Sequence, residues 1–328
     1  MRSYFVTDID ECMKLWEKLI PVKEISDLWG FRFCFQRHFN HEPFFLILED
    51  ESGIAGMIPL SYVKELDIFA FFPGEIWKGK TWIERTPIYV REPYYTEELL
   101  SCCPERTYLR YMEASTEFYD PGFELDEIGY VLYPPDFDFN LDNFLKRFSY
   151  KRIKEINKVI RSFTVDSETL HINRLEDFSL LLEMSLHYFG QNSYLYDPRF
   201  REGFRDVMYF LHEKEFLRMV SFEIHGCIAA VDIGALFNST YTVFLGGTDS
   251  QFPGVAKAMN MHHIEYACTQ KVMKLDFLCG DFHWKRLWHL DPEPLYRFVT
   301  PALRSEEELG GIVKDEPIHL LDQGHRHS

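Results

Sequence analysis

Apolar positions along this chain recur in two rhythms, one helical and one alternating. Over Ile9–Leu19 the spacing is helical, with Thr7 or Asp8 placed to cap the start and Pro21 to stop the end. Residues 26–39 predict a second helix. FFLILED and IAGMIPLSYV then read as two strands around Glu49-Asp50-Glu51-Ser52-Gly53, whose residues suit a tight turn. More strands are expected near 66–71, 82–89, 108–112 and 128–132, with a short helix at 96–102. PPDFDFN, residues 134–140, breaks the pattern and marks an expected domain boundary.

The second half repeats that style. Ser149 can cap a helix in which Ile153, Ile156, Ile160 and Phe163 recur at helical spacing. Helices are predicted over 175–189 and 198–212 after a strand near 170–173. FLRMVSFEI, CIAAVDIGAL and TYTVFLGG follow, joined by His225-Gly226 and Asn238-Ser239, the signature of an antiparallel meander. A helix over 254–270 and a strand over 272–278 come next. The tail after about Arg304 is charged and weakly patterned. Each half thus runs helices first, then a meander whose second strand starts just after a Gly. This is a duplication in order rather than in residues.

Composition narrows the function classes. The chain has 328 residues, more than one compact core usually holds, so two domains are expected. Its formal net charge of −17 repels a duplex or long RNA unless a local basic patch overrides it. The one basic segment is the helix carrying Lys146, Lys151, Arg152, Lys154, Lys158 and Arg161. Seven Cys in a chain this long do not form a disulfide framework, and reduced thiols point to a cytoplasmic protein. MRSYFVTDIDECMKLW has early acids and no long apolar core, so no signal peptide is read there. No apolar run reaches the roughly 20 residues of a membrane span.

The candidate chemistry lies between residues 241 and 288. A strand ends in Gly246-Gly247, and a loop through Pro253-Gly254 enters a helix. The first N–H groups of a helix lack intrahelical partners and face an anion well. Then comes LDFLCGDFHWKRLW, where an apolar strand stops at Cys-Gly-Asp and an aromatic, basic cluster begins. Cys279, Asp281 and His283 alternate there, with His262-His263 and His289 nearby in sequence, yet no zinc-type spacing is present and no metal is expected.

On Gly246, Pro253, Gly254, Asp276, Gly280, Asp281, Lys285 and Trp288, this half resembles the GNAT superfamily, in the branch of Fem-type transferases and CelD-like acetyltransferases. LDNFLKRFSYKRIKEINKVIRSF resembles the basic linker helix of that group, and FFLILEDESGIAGMIPL its N-terminal strand pair. The usual pyrophosphate loop is Gln/Arg-x-x-Gly-x-Gly/Ala, and Gln251, Gly254 and Ala256 keep it.

The resemblance implies an α/β (α+β) fold of two tandem GNAT-like halves, each a mixed, mostly antiparallel sheet flanked by helices. The expected organisation is a first half over 1–139, a basic linker helix over 140–165, a donor half over 166–304 and an irregular tail over 305–328. The implied activity is direct transfer of an acyl group, acetyl foremost, from acyl-CoA to an amine. The cosubstrate is acyl-CoA with no metal, and the partner is a small-molecule or peptide amine. Gln251, Pro253, Gly254, Val255 and Ala256 are expected at the pyrophosphate.

Asp232, Asp281, Lys285 and Tyr241 are the expected catalytic residues, with Tyr241 as an acid toward the thiolate. Asp276, half-buried on its strand, is expected to pair with Lys285 or Arg286. Two alternatives stand beside this reading. One is an aminoacyl-tRNA-dependent Fem-like transferase. The other is a non-catalytic binding protein that kept the fold. An open gap between the strands near Ala235 and Phe244 favours the enzyme, and rings filling it favour the binding protein.

Overall fold

The structure, a computed structural model, describes residues 1–113, 123–162, 170–280 and 282–304. In chain order the first half comprises β1 (Arg2–Val6), α1 (Ile9–Leu19), α2 (Trp29–Phe39), β2 (Glu42–Pro43), β3 (Phe45–Asp50), β4 (Gly53–Ile58), β5 (Leu60–Val63), β6 (Ile68–Phe71), β7 (Ile76–Trp77), β8 (Lys80–Thr81), β9 (Tyr89–Val90), α3 (Tyr95–Ser101), β10 (Thr107–Glu113) and β11 (Phe123–Leu132). Two connecting helices follow, α4 (Leu141–Leu145) and α5 (Tyr150–Ser162). The second half comprises β12 (Leu170–Ile172), α6 (Phe178–Phe189), α7 (Pro198–Glu213), β13 (Leu217–Ile224), β14 (Cys227–Phe237), β15 (Thr240–Thr248), α8 (Val255–Thr269), β16 (Lys274–Cys279), α9 (His283–Leu287) and β17 (Asp291–Val299).

Local chemistry explains the ends of these elements. Asp8 caps α1 through the Glu11 N–H at 2.9 Å. Asp197 caps α7 in the same way, with Pro198 in the first turn. The two meander turns adopt positive φ at His225, Gly226, Asn238 and Ser239, matching the right-handed twist of the strands they join. Pro59 separates β4 from β5, so one apolar run supplies two different sheets.

Both halves share one sheet. Eleven strands run in the order β12-β13-β14-β15-β16-β11-β17-β10-β6-β5-β2, beside a four-stranded sheet β1-β3-β4-β9 and a small β7-β8 pair. At its centre the halves exchange strands. β11 of the first half lies between β16 and β17, and β17 of the second half lies between β11 and β10, all antiparallel. Each half also holds one parallel pair, β6 with β10 and β15 with β16. The architecture is two tandem halves, as expected, but interlocked rather than stacked.

Helix packing joins the halves a second time. α2 of the first half lies on α7 of the second, through edge-to-face rings at Phe35–Phe204 (5.3 Å) and Phe39–Phe200 (4.9 Å). Phe31, Phe35, Trp82 and Ile83 belong to the same core as Met208, Leu217, Met219 and Val231.

Three expectations change. Residues 82–88 are not a strand: the Ile83 N–H is taken by a Glu75 carboxylate oxygen and the Thr86 N–H by the Tyr111 carbonyl, so the segment crosses between layers. β1 and β17 were not anticipated. Pro292 and Pro294 argue against a central strand, yet they occupy the part of β17 paired with β11, beyond the last described pairing with β10 at Leu295.

The α2–α7 contact yields a test. A Cβ at Gly203 meets Phe35 Cδ1 at 2.7 Å, and that ring is fully buried. Gly203→Ala is expected to destabilise by about 1–3 kcal/mol through overpacking. Gly30→Ala meets only the half-buried Phe210 ring, which can swing, so its cost is expected to be smaller. Urea unfolding of the two variants reads the difference.

Candidate active site

β15 and β16 pair in parallel at Thr240–Lys274, Tyr241–Leu275 and Thr242–Asp276, and then part. β16 turns away because Leu278 has φ 58°, with its N–H held by the Asp276 carboxylate at 2.8 Å. β15 bulges at Phe244, where the register on β14 slips between Ile233 and Gly234. The result is a wedge between two neighbouring strands, with backbone on its β15 side no longer paired to β16. β14 and β15 stay paired past Ala235, so the gap lies one strand over from the expected place.

The wedge opens toward the first half. A narrow cleft is lined there by Thr242, Phe244, Asp276 and Leu278 of the second half, facing residues 24–26, Phe31 and residues 82–85 of the first. Its aromatic wall is Phe31, Trp82 and Phe244, with Phe244 5.6 Å from Phe31 and 5.7 Å from Trp82 between ring centres.

The floor of the cleft is ionic. Arg85 reaches Asp276 on β16 (3.1 Å), Glu293 on β17 (2.5 Å) and Glu113 on β10 (2.7 Å). Burial works against its charge, and Asp276, Glu293 and Glu113 more than reverse that, so its pKa is raised. Asp276 was expected to pair with Lys285 or Arg286, and its close partner is instead Arg85, with Lys274 at 3.7 Å. Arg85 itself has φ 59°, a left-handed conformation unusual for its residue type.

Glu84 stands beside it and was missed by the sequence reading. It accepts the Cys279 N–H at 2.7 Å, across the two halves. Burial, and then the Asp276 charge, push its pKa up to about 7. Nothing in the local sequence Ile83-Glu84-Arg85 marks this residue, because its neighbours come from β16.

The residues expected at the chemistry are redistributed. Strand alternation points Tyr241 away from the cleft, toward α8. There its hydroxyl bonds His263 Nδ1 (2.9 Å), whose Nε2 bonds Asp232 (2.9 Å). Gly246 lacks the Cβ that would meet the Asp232 carboxylate at 2.5 Å, which lets this network form. Burial raises the pKa of Tyr241, so its proton stays on. Tyr241 and Asp232 therefore tie β14, β15 and α8 together and do not face the cleft.

Lys285 was expected among the catalytic residues. It is buried, and its ammonium donates to the carbonyls of Phe277 (2.9 Å), Leu278 (2.8 Å) and Cys279 (2.7 Å). It secures the turning end of β16, while burial lowers its pKa. Trp288 packs in the core against Phe148. Asp281 lies outside the described residues.

At the other end of β15, Asp249 accepts the Gln251 N–H at 2.9 Å and shapes the loop. Gly254 caps α8 with φ 95°, and no side chain caps this helix. Gln251, Pro253 and Ala256 are exposed around the helix start, while Val255 is buried beneath it. α5 is tethered alongside by a Glu155–Lys257 bond of 2.8 Å, with Lys151, Lys154 and Lys158 facing solvent. Among the described residues no group of three or more His, Cys, Asp or Glu could hold a metal ion. Among them, too, no helix is long and apolar enough to cross a membrane.

Residues 150–286 match the family model described as an acetyltransferase (GNAT) domain. No curated protein matches the chain. Among solved structures it is similar to FemX (10% identity, 95% of this chain and 100% of that one, TM-score 0.56). It is also similar to L-PGS from Bacillus licheniformis (11% identity, 93% and 96%, TM-score 0.56). A third likeness is to a GNAT-family acetyltransferase from Colwellia psychrerythraea (9% identity, 92% and 100%, TM-score 0.50). At these identities the likenesses establish the fold.

Arg85 is the testable element of this geometry. Arg85→Ala leaves Asp276 buried without its partner, and a loss of about 3–5 kcal/mol is expected in urea unfolding at neutral pH. A loss below about 1 kcal/mol would mean the ion cluster does not hold the cleft floor.

Proposed function

We propose that this chain, which carries a GNAT acetyltransferase domain at residues 150–286, is an N-acyltransferase that passes an acyl group from acyl-CoA directly to an amine. The observation that carries the reading is the parting of β15 from β16 beyond Thr242, on the strand whose far end leads into the uncapped start of α8. One end suits the pyrophosphate and the other suits the thioester.

In this reading the phosphates lie on the loop Gln251–Ala256, where Gly254 keeps side-chain bulk away and the first N–H groups of α8 meet negative charge. The pantetheine arm lies in the wedge as a surrogate strand, using the β15 backbone that β16 has released. The amine enters from the first-half side. Its nitrogen forms a bond to the thioester carbonyl carbon, and the carbonyl electrons move to oxygen, a charge that backbone N–H donors stabilise in such transfers. Collapse breaks the C–S bond, and the departing thiolate takes up a proton.

A second reading rests on α5. Its exposed Lys151, Lys154 and Lys158 lie beside α8 and suit a donor with more negative charge, such as an aminoacyl-tRNA. The two readings part in one experiment. At a hundredfold excess over Kd, a ligand that binds only the folded state adds about 2.7 kcal/mol. Acetyl-CoA is therefore expected to raise the melting temperature by several degrees. Ala256→Glu, an exposed change that places a carboxylate in the first turn of α8, is expected to abolish the shift without lowering the melting temperature of the free protein. Stabilisation by an aminoacyl-tRNA, and none by millimolar acetyl-CoA, would favour the second reading. No stabilisation by either would leave the fold without a donor.

A further inference from the structure

The acyl-transfer reading lacks a group to take the proton from an incoming ammonium. Among the described residues the second half offers no free carboxylate on the cleft side: Asp232 is bound to His263 on the α8 face, and Asp276 and Glu293 are bound to Arg85. The first half does. Residues 81–86 cross the face of the wedge and are fixed at both ends. Thr81 O accepts from Tyr111 and Tyr194 hydroxyls (3.2 and 3.1 Å), the Thr86 hydroxyl donates to Arg110 O (2.6 Å), and Arg32 donates to Arg85 O (3.2 Å). This strap delivers one carboxyl to the cleft at the place where β15 and β16 part.

We propose that Glu84 is the general base of the transfer, so that the active site is completed by a residue of the half that does not bind the donor. The inference rests on the acyl-CoA reading above and adds the acceptor's chemistry: a primary amine that arrives protonated. The anchor is the Cys279 N–H, which holds one Glu84 oxygen at 2.7 Å and fixes the carboxyl against the turned end of β16. Trp82, Phe31 and Phe244 line the same cleft.

Glu84 takes one proton from R–NH₃⁺. The freed nitrogen lone pair forms the N–C bond, and the C–S bond breaks. The second nitrogen proton ends on the thiolate, and Glu84 returns the first to solvent. The balance is R–NH₃⁺ plus thioester giving amide, thiol and one H⁺.

The groups that face Glu84 set its titration. Asp276 and Cys279 come from β16, Lys285 from α9 and Tyr194 from the segment before α7. Arg85 adjoins it in the chain, and Glu24 shares the cleft rim. Burial and the Asp276 charge favour the protonated form, while the Cys279 N–H and Lys285 favour the ionised one. The raised proton affinity puts the carboxyl near neutrality, where a base both ionises and accepts protons well. The ionised base grows as pH rises through about 7, so activity rises with it.

The experiment measures thiol release from acetyl-CoA with a panel of primary amines: ethylamine, spermidine, glucosamine and the weakly basic trifluoroethylamine. Wild type, Glu84→Gln and Glu84→Asp are each followed from acid to alkaline pH. Gln keeps an oxygen for the Cys279 N–H, and a retained acetyl-CoA stabilisation shows that the fold and donor site survive. Glu84→Gln is expected to lose at least about a hundredfold with the strongly basic amines, to lose the rise near neutral pH, and to lose much less with trifluoroethylamine, which needs no base. Glu84→Asp is expected to restore part of the rate and the pH dependence. A Glu84→Gln variant that keeps the wild-type rate and pH profile on strongly basic amines overturns the proposal. Absent stabilisation of wild type by acetyl-CoA overturns the parent reading instead.

Discussion

One guanidinium holds the centre of this molecule. Arg85 comes from the first half, and its carboxylate partners sit on β10, β16 and β17, three strands of the sheet in which the halves exchange β11 and β17. Asp276 is almost fully buried, so the pair cannot be broken cheaply. The same contact fixes strand order, closes the floor of the cleft and sets residues 81–86 against the wedge. Fold and site therefore depend on the same charges.

The sheet sorts its chemistry by face. On β15, Tyr241 turns to α8 and joins His263 and Asp232 in a closed network, while Thr242 and Phe244 turn to the first half and line the cleft. The α8 face is built to hold a helix whose start carries no side-chain cap. The opposite face is built around a cleft with aromatic walls and ionic groups. Lys285 belongs to neither surface: buried under the end of β16, it uses its protons on three carbonyls that the turn at Leu278 would otherwise leave exposed to the interior.

What the sequence disclosed follows the range of each interaction. Ile9–Leu19, with its cap at Asp8, and the meander with its two positive-φ turns are set by neighbours in the chain, and they read directly. The loop Gln251–Ala256 was placed correctly between a strand and a helix for the same reason. β17 was hidden by Pro292 and Pro294, whose local rule is overridden by a partner strand far away in sequence. Glu84 and Arg85 were hidden because their partners Cys279 and Asp276 lie nearly two hundred residues on, and no local pattern encodes such pairings. Tyr241 and Asp232 were visible as polar residues in apolar strands, but which face they took depended on register.

The wedge between β15 and β16, together with the start of α8, is proposed as a donor site. Hydrogen–deuterium exchange of the full chain with and without CoA tests it most directly, since amides covered by a ligand exchange more slowly. Slowed exchange is expected in 243–248, in 254–258 and in 277–280. Unchanged exchange in all three segments, or protection confined to α5, would contradict it.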